Sequence, residues 1–270
     1  MDHAGTRTGV ETVALADPDM GPSDLESASD GDRGIWGSPA GRDNTCGGRT
    51  DSFNTGPSGP SGPSVSVSVC TTGPPVTFEG IVLAAGQSTR LGRPKALLAV
   101  GRETFLSQAV RVLGEGGAAR IIVVVGDAPE VRSAAESADV TVVVNPDPTS
   151  EQLVSLLIGL DAVSEDVDAV AVLPVDCPLV ATESVKALAE AAARTAKPIV
   201  LPMYNGVGGH PVMLRRPFFD VVRRSTAADG LRGLIVDHGH DVEIINVSDP
   251  GILVDIDTPR EYDRYVDGKA

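Results

Sequence analysis

Aromatic residues, cysteines and long apolar runs are all scarce in this chain of 270 residues. Aromatic side chains make up only 3% of it, which argues against a recognition surface rich in tryptophan and tyrosine and favours a layered core of alanine, valine and leucine. The three cysteines, Cys46, Cys70 and Cys177, are odd in number and lack the spacing of metal ligands. We therefore predict neither a disulfide framework nor a zinc site.

Basic residues are also in short supply, with 22 Lys and Arg against 37 Asp and Glu and a net charge of -15. An acidic surface repels phosphate backbones, so nucleic acid is not an expected partner. A small anionic substrate is still compatible with this charge, because local basic groups outweigh a distant, screened acidic field. The sequence has no apolar run long enough for a membrane span and no signal-peptide pattern, so we expect a soluble cytoplasmic protein.

The composition changes near residue 75. Residues 1–75 are crowded with Gly, Ser, Pro, Asp and Thr, and they hold ten acidic and four basic side chains, a net charge of -6. Such a segment cannot bury enough apolar surface to offset the conformational entropy lost on ordering. We predict a disordered tail over residues 1–75, with a docking or regulatory tail as the alternative, and one folded domain over residues 76–270.

From residue 79 onwards, short runs rich in valine and isoleucine alternate with stretches of helical periodicity. The run at 121–125 is apolar throughout, which is typical of a strand covered on both faces. The pattern predicts strands at 80–84, 121–125, 140–144, 169–175, 199–203 and 242–247, and helices at 105–115, 129–138, 152–163 and 182–194. This alternation implies right-handed crossovers and a three-layer, doubly wound, mostly parallel α/β sheet, whose ligands bind beyond the carboxyl ends of the strands.

The turn after the first predicted strand concentrates ligand-binding chemistry. Small residues at 84–86 let the backbone approach a ligand closely, and the loop offers N–H groups suited to phosphate oxygens. Arg90 adds a forked donor and Lys95 a mobile point charge. The spacing fits neither G-x-x-x-x-G-K-[ST] nor G-x-G-x-x-G. Composition alone therefore leaves open an ordinary loop with surface basic residues.

This segment resembles L-A-A-G-x-S-x-R-x-G-x-x-K, the signature of the MobA-like NTP transferases related to the molybdenum cofactor cytidylyltransferases. The signature positions are filled in order by Leu83, Ala84, Ala85, Gly86, Ser88, Arg90, Gly92 and Lys95. The resemblance implies that the loop wraps a nucleoside triphosphate, with Arg90 and Lys95 on phosphate oxygens. Relatives that use GTP tend to carry L-A-G-G, so Ala85 favours CTP.

Two acidic motifs agree with this resemblance. Asp176 directly follows a predicted buried strand and matches the metal-binding aspartate of the family's D-x-P, while segment 253–262 is similar to its D-I-D-T-P-E-D-Y. Mg²⁺ binds one or two protein carboxylates beside substrate phosphates. The resemblance thus implies Mg²⁺ held by Asp176 and Asp257, with Asp255 in support. The alternatives are that Asp176 is a turn or cap residue, and that Asp255 or Asp257 caps the final helix.

Further matches concern the acceptor half of the cleft. His210 lies in a G-H-P motif, and Asp229 and Arg232 fill the family's D-x-G-x-R. The alternative for His210 is a structural histidine. Cys177 is interpreted as a small residue lining the pocket, because no His/Asn constellation supports a cysteine nucleophile. Glu151 replaces a small residue near the expected base or acceptor pocket, which leaves the acceptor open.

The resemblance implies in-line transfer of an NMP unit, CMP from CTP, to a phosphorylated acceptor, with Mg²⁺ as cofactor and pyrophosphate as product. Arg90, Lys95 and Asp176 would carry catalysis. Molybdenum-bound molybdopterin is the best-matching acceptor, with a molybdoenzyme or its chaperone as the implied protein partner. A sugar phosphate acceptor and GTP as donor remain open within the same chemistry.

A nucleotide binder without catalysis, or a dinucleotide-dependent oxidoreductase, is the alternative class. A dinucleotide site needs a ribose-binding acid about twenty residues after the first loop. The second predicted strand instead ends at Gly126 and Asp127, about forty residues after that loop. This alternative also leaves Lys95 and the two C-terminal aspartates without a role.

Overall fold

The computed structural model describes residues 75–86, 91–147, 149–225, 230–266 and 268. Ser88, Arg90, Asp229 and residues 1–74 of the predicted tail lie outside the described residues. The strands are β1 (Phe78–Ala84), β2 (Ala99–Val100), β3 (Glu103–Thr104), β4 (Ile121–Val125), β5 (Thr141–Val144), β6 (Ala169–Pro174), β7 (Ile199–Tyr204), β8 (Val207–Gly208), β9 (Val212–Arg215) and β10 (Val242–Asn246).

The α-helices of the described part are α1 (Phe105–Glu115), α2 (Pro129–Glu136), α3 (Gln152–Asp161), α4 (Thr182–Arg194), α5 (Arg216–Arg224), α6 (Gly230–Asp237) and α7 (Pro259–Tyr265). Each strand and helix predicted from the sequence is present, with ends that differ by no more than two residues. Within the described residues, no helix combines the length and apolarity needed to cross a membrane.

The main sheet has eight strands, in the order β10-β7-β9-β6-β1-β4-β5 with β8 paired to β7. β6, β1, β4 and β5 run parallel to one another, and β7 is parallel to β10. β9 lies antiparallel between β6 and β7. The predicted doubly wound, mostly parallel sheet is therefore confirmed, and the antiparallel β9 is an addition that the sequence analysis did not predict.

Helices cover both faces of this sheet. Side chains alternate along β1, so that Val82 packs in one apolar cluster with α1, α2 and α4 while Ile81 packs in another with α3, α5 and α6. Both side chains are fully buried. Burial on both faces explains why β4 is apolar throughout and why β1, apart from Glu79, does not alternate with polar residues.

The carboxyl ends of four parallel strands meet along one edge of the sheet. Ala84 pairs with Val125, Val125 with Val144, and Leu83 with Pro174. Gly126 begins the turn after β4, and a Cβ at this position would lie 3.0 Å from the carbonyl oxygen of Ala85. Glycine at 126 thus lets the loop after β1 lie directly over the end of β4, which shapes the floor of the site.

Candidate active site

A cavity of about 750 Å³ opens at the carboxyl ends of β1, β4, β5 and β6. Its size falls within the usual range for small-molecule sites. Six predicted site residues line it, namely Leu83, Ala84, Ala85, Gly86, Lys95 and Asp176. The loops after β4 and β5 complete the wall with Gly126, Asp127, Asn145, Ser150 and Gln152.

Lys95 joins the two aspartates predicted to bind metal. It begins a short 3-10 turn, Lys95–Leu97, and its Nζ donates hydrogen bonds to Oδ2 of Asp176, at 3.0 Å, and to Oδ1 of Asp257. The backbone N–H of Ile256 also donates to the carbonyl of Asp176, at 2.9 Å. Burial acts to lower the pKa of Lys95, but the two carboxylates outweigh it and raise that pKa above its ordinary value. The ammonium is therefore fully charged at neutral pH.

Helix capping does not explain the position of either aspartate, although Asp176 does lie in a turn, as its alternative interpretation expected. The final helix, α7, has Thr258 as its N-cap, and the Glu261 carboxylate accepts hydrogen bonds from the N–H groups of Asp257 and Thr258, both at 2.7 Å. The helix after Asp176 begins beyond Ala181, which makes no side-chain cap. The side chains of Asp176 and Asp257 point to Lys95 instead, so their position is not explained by helix capping.

Asn145 organises one wall of the cavity and was not predicted as a site residue. Its Nδ2 donates to the hydroxyls of Ser150 and Ser155, at 2.7 and 2.9 Å, and its Oδ1 accepts from the N–H of Asp147 at 3.0 Å. Its place directly after β5, at the same edge as Asp176, was the signal that could have identified it. Glu151 is exposed and does not itself line either described cavity, but its neighbours Ser150 and Gln152 line the larger one, which agrees with its expected place near the pocket.

A smaller cavity of about 220 Å³ adjoins the first, since Leu83 and Gln152 line both. Three residues predicted on the acceptor side, His210, Arg232 and Asp255, lie in its wall. The rest of the lining is mainly aliphatic and comes from α3, α6 and the strand ends, with Leu153, Leu156, Val172, Leu201, Val212, Leu231, Ile235, Ile252 and Leu253.

Cys177 lies between Asp176, which lines the larger cavity, and Asp255, which lines the smaller one. Its side chain is 2% exposed, and its Sγ donates to Oδ1 of Asp255 at 2.9 Å while lying 3.9 Å from Oδ1 of Asp176. Burial raises the pKa of the Cys177 thiol well above its usual range. Burial also raises the pKa of Asp255, against the opposing effect of His210. A buried, protonated thiol agrees with the expectation that Cys177 is not a nucleophile. Cys177 is not in the lining of either described cavity, so its expected role as a pocket-lining residue stays a prediction.

Comparison with known proteins shows which family this chain belongs to. The profile of the MobA-like NTP transferase domain matches residues 80–242, more than half of the chain. The molybdenum cofactor cytidylyltransferase of Escherichia coli is 26% identical over 197 residues, which cover 70% of this chain and 98% of that protein. The nicotine blue oxidoreductase of Paenarthrobacter nicotinovorans is 29% identical over 200 residues, which cover 69% of this chain and 95% of that protein.

Among solved structures, the Rv0371c protein of Mycobacterium tuberculosis is 29% identical with a TM-score of 0.65, covering 71% of this chain and 99% of its own. The structure of that protein in complex with manganese gives 28% identity and a TM-score of 0.61, with the same coverage of both chains. These likenesses span the folded part of the chain and agree with the signature at residues 83–95. The chain is therefore a nucleotidyltransferase that belongs to the MobA-like NTP transferase family.

Proposed function

We propose that this enzyme transfers CMP from CTP to a phosphorylated acceptor, with molybdenum-bound molybdopterin as the favoured acceptor. The observation that carries the proposal is the meeting of Lys95, Asp176 and Asp257 beside the loop formed by residues 83–86. The cavity there is large enough for a nucleotide, and the cytidylyltransferase of Escherichia coli supports the choice of nucleotide and acceptor.

The donor set at this point suits a hard divalent ion. The carboxylates of Asp176 and Asp257 converge on one positive charge, the ammonium of Lys95. Mg²⁺ uses one or two such carboxylates together with substrate phosphates, and the manganese complex of the Mycobacterium tuberculosis relative supports a divalent ion here. When bound, this ion supplies neutralisation of phosphate charge during an in-line displacement.

Lys95 carries the positive charge that this chain directs at the nucleotide. Its pKa is raised, so the ammonium keeps its proton while it turns from the carboxylates towards an oxygen of the α-phosphate. The small residues Ala84, Ala85 and Gly86 line the same cavity and leave room for phosphate oxygens to approach the backbone. Arg90 belongs to the same loop in sequence, and we assign it to the leaving pyrophosphate. Preorganised charge of this kind is the main contribution a protein makes to phosphoryl chemistry.

The smaller cavity is the proposed acceptor side. Arg232 provides a planar fork that matches phosphate geometry, and His210 and Asp255 provide polar groups in an otherwise aliphatic wall. Because this cavity adjoins the larger one, an acceptor phosphate placed at their junction lies near Asp176. We assign Asp229 to the same side by its place in the D-x-G-x-R motif.

A direct test is to incubate the full-length protein with each of the four ribonucleoside triphosphates, Mg²⁺ and molybdenum-loaded molybdopterin, and to measure pyrophosphate release. We expect release that requires both CTP and the acceptor, with a CMP conjugate detected by mass spectrometry. Release with sugar phosphates alone would reject molybdopterin as the acceptor while keeping the chemistry.

An oxidoreductase is the second candidate, because a relative of 29% identity is named nicotine blue oxidoreductase. One experiment distinguishes the two candidate functions. Oxidation of a reduced dinucleotide by an added electron-accepting dye, dependent on the protein and accompanied by no pyrophosphate release from any triphosphate and acceptor pair, would reject nucleotidyl transfer in favour of the oxidoreductase.

A further inference from the structure

Three potential metal ligands meet beside the smaller cavity. The Sγ of Cys177, a ring nitrogen of His210 and a carboxylate oxygen of Asp255 all lie within 4.8 Å of one another. They come from three different segments of the chain, so linear spacing could not reveal them. We propose that they form a second divalent metal site, selective for a thiophilic ion of the Zn²⁺ type and separate from the carboxylate pair of Asp176 and Asp257.

The backbone holds these three segments tightly together. A Cβ at Gly209 would collide with the carbonyl of Ile252, and a Cβ at Gly251 would collide with the carbonyl of Leu179. The N–H of His210 donates to the carbonyl of Ile252 at 2.8 Å. Glycines at 209 and 251 therefore allow direct backbone packing on either side of the cluster. Ligands mounted on packed backbone keep their positions, which a metal site requires.

His210 gives independent support, because its Nδ1 is buried and has no hydrogen-bond partner among the described residues. A buried polar atom left without a partner destabilises the folded state. Ligation of a cation by the imidazole ring would offset this destabilisation. The same ring lies near the Asp255 carboxylate, whose charge it affects.

The chemistry of the donors selects the ion. A thiolate, an imidazole and a carboxylate suit Zn²⁺, whereas Mg²⁺ prefers oxygen donors alone. Binding exchanges the thiol proton of Cys177 for the ion, and that proton passes to the buffer. Since His210 and Asp255 also line the smaller cavity, the fourth position of a tetrahedral ion would face this cavity. Three protein ligands and one open position are the pattern of zinc sites that bind a substrate atom.

The test uses the full-length protein and needs no turnover. Zn²⁺ is titrated against a chromogenic chelator in the presence of millimolar Mg²⁺, with proton release followed in a weak buffer. We expect one tightly bound Zn²⁺ per chain and about one proton released at neutral pH. Co²⁺ in place of Zn²⁺ should give a thiolate-to-cobalt charge-transfer band and the strong visible absorption of a tetrahedral ion.

Variants identify the ligands. Cys177→Ser should weaken Zn²⁺ binding by about a hundredfold or more and remove the charge-transfer band. The matched control is the double variant Cys46→Ser and Cys70→Ser, which removes the other two thiols and should keep both signals. His210→Gln should weaken binding without removing the charge-transfer band, and it serves as a second test if Cys177→Ser does not fold.

Three results would overturn the proposal. One is the absence of a stoichiometric Zn²⁺ site, and another is displacement of Zn²⁺ by millimolar Mg²⁺. The third is a charge-transfer band that survives in Cys177→Ser and disappears in the double variant of Cys46 and Cys70. None of these results bears on pyrophosphate release, so failure of this proposal is distinguishable from failure of the proposed nucleotidyl transfer.

Discussion

The Nζ of Lys95 lies 3.0 Å from Oδ2 of Asp176, although the two residues are 81 positions apart in the chain. Asp257 accepts a second hydrogen bond from the same ammonium. Lys95 therefore balances two carboxylates that would otherwise repel each other at the edge of the cavity. On the proposed metal assignment, the ammonium and the divalent ion compete for the same carboxylate oxygens.

This competition gives the first prediction. Lys95→Ala should lower the rate of pyrophosphate release by about 10²–10³, because the charge stabiliser of the phosphate is lost. The same variant should bind Mn²⁺ more tightly than the wild type in the absence of nucleotide, because the ammonium no longer competes. Steady-state kinetics and titration of free Mn²⁺ by electron paramagnetic resonance measure the two effects.

Lys186→Ala is the matched control, because Lys186 is exposed on α4 and should change neither quantity. Lys95→Arg should restore little activity, since a planar fork does not replace a compact ammonium at one phosphate oxygen. Weaker Mn²⁺ binding in Lys95→Ala would contradict the proposed exchange between ammonium and metal.

Asp176 should behave differently from Lys95. Asp176→Ala should also reduce turnover by about 10²–10³, but the loss should be accompanied by a higher Mg²⁺ concentration for half-maximal rate, because the ion loses one ligand. Asp139→Ala, which alters an exposed aspartate after α2, is the control. A variant that releases pyrophosphate at nearly the wild-type rate at ordinary Mg²⁺ concentrations would remove Asp176 from the metal site.

The choice of nucleotide is the third prediction. CTP with Mg²⁺ should raise the melting temperature more than GTP with Mg²⁺, since at equal concentration the ligand that binds more tightly stabilises the folded state more. The reason is Ala85, which lines the larger cavity where the relatives that use GTP tend to have glycine. Differential scanning with each triphosphate measures the shift, and an equal or larger shift with GTP would reject the assignment.

The sequence predicted the sheet well where burial dictates the pattern. β4 is a run of five buried Ile and Val residues, and this run identifies it without ambiguity. β9 and the two-residue β8 were not predicted. A turn signal was nevertheless present ahead of β8, since Asn205 and Gly206 both have positive φ and join β7 to β8. Asn-Gly is the typical dipeptide of such a hairpin.

The candidate site was predictable only in part, for a reason of geometry. Family motifs identified Lys95, Asp176 and Asp257 one at a time, and the shared edge of the sheet brings them together. The contact between Cys177 and Asp255 joins residues 78 positions apart. It depends on backbone packing around Gly251, which no local pattern of the sequence encodes.

The fourth prediction concerns the N-terminal segment. A chain that begins at Val76 should melt within about 2 °C of the full-length protein, a change below about 1 kcal/mol for a domain of this size, and should keep its rate of pyrophosphate release. The first reason is that the motifs lie between residues 80 and 265. The second is that the N–H of Thr77 donates a hydrogen bond to Oδ2 of Asp168 at 2.9 Å, which holds the start of the domain in place. A large drop in melting temperature would show that residues before Val76 pack on the domain.

The last prediction concerns stability at the edge of the sheet opposite the site. Glu79 in β1 is 2% exposed, and its carboxylate accepts hydrogen bonds from Nε and Nη2 of Arg120, both at 3.0 Å, and from the hydroxyl of Ser164 at 2.6 Å. Burial alone would raise the pKa of Glu79, but Arg120 and Ser164 outweigh it, so that pKa lies below its ordinary value of 4.5. Glu79→Gln should therefore lower the free energy of unfolding at pH 7 by about 1–3 kcal/mol.

The pH dependence of the unfolding free energy shows whether Glu79 stabilises the fold through its charge or through its packing. A carboxylate whose pKa is lower in the folded state stabilises the fold above its unfolded pKa, and this stability is lost as the pH falls through the folded pKa. The difference in unfolding free energy between wild type and Glu79→Gln should thus be constant above about pH 4.5 and shrink below it. Glu103→Gln, which breaks a half-exposed pair with Arg111, is the control and should cost less than about 1 kcal/mol. Urea unfolding at pH 7 and at successively lower pH measures both variants. A Glu79→Gln deficit that stays unchanged into acid would mean that the side chain acts through its packing and not through its charge.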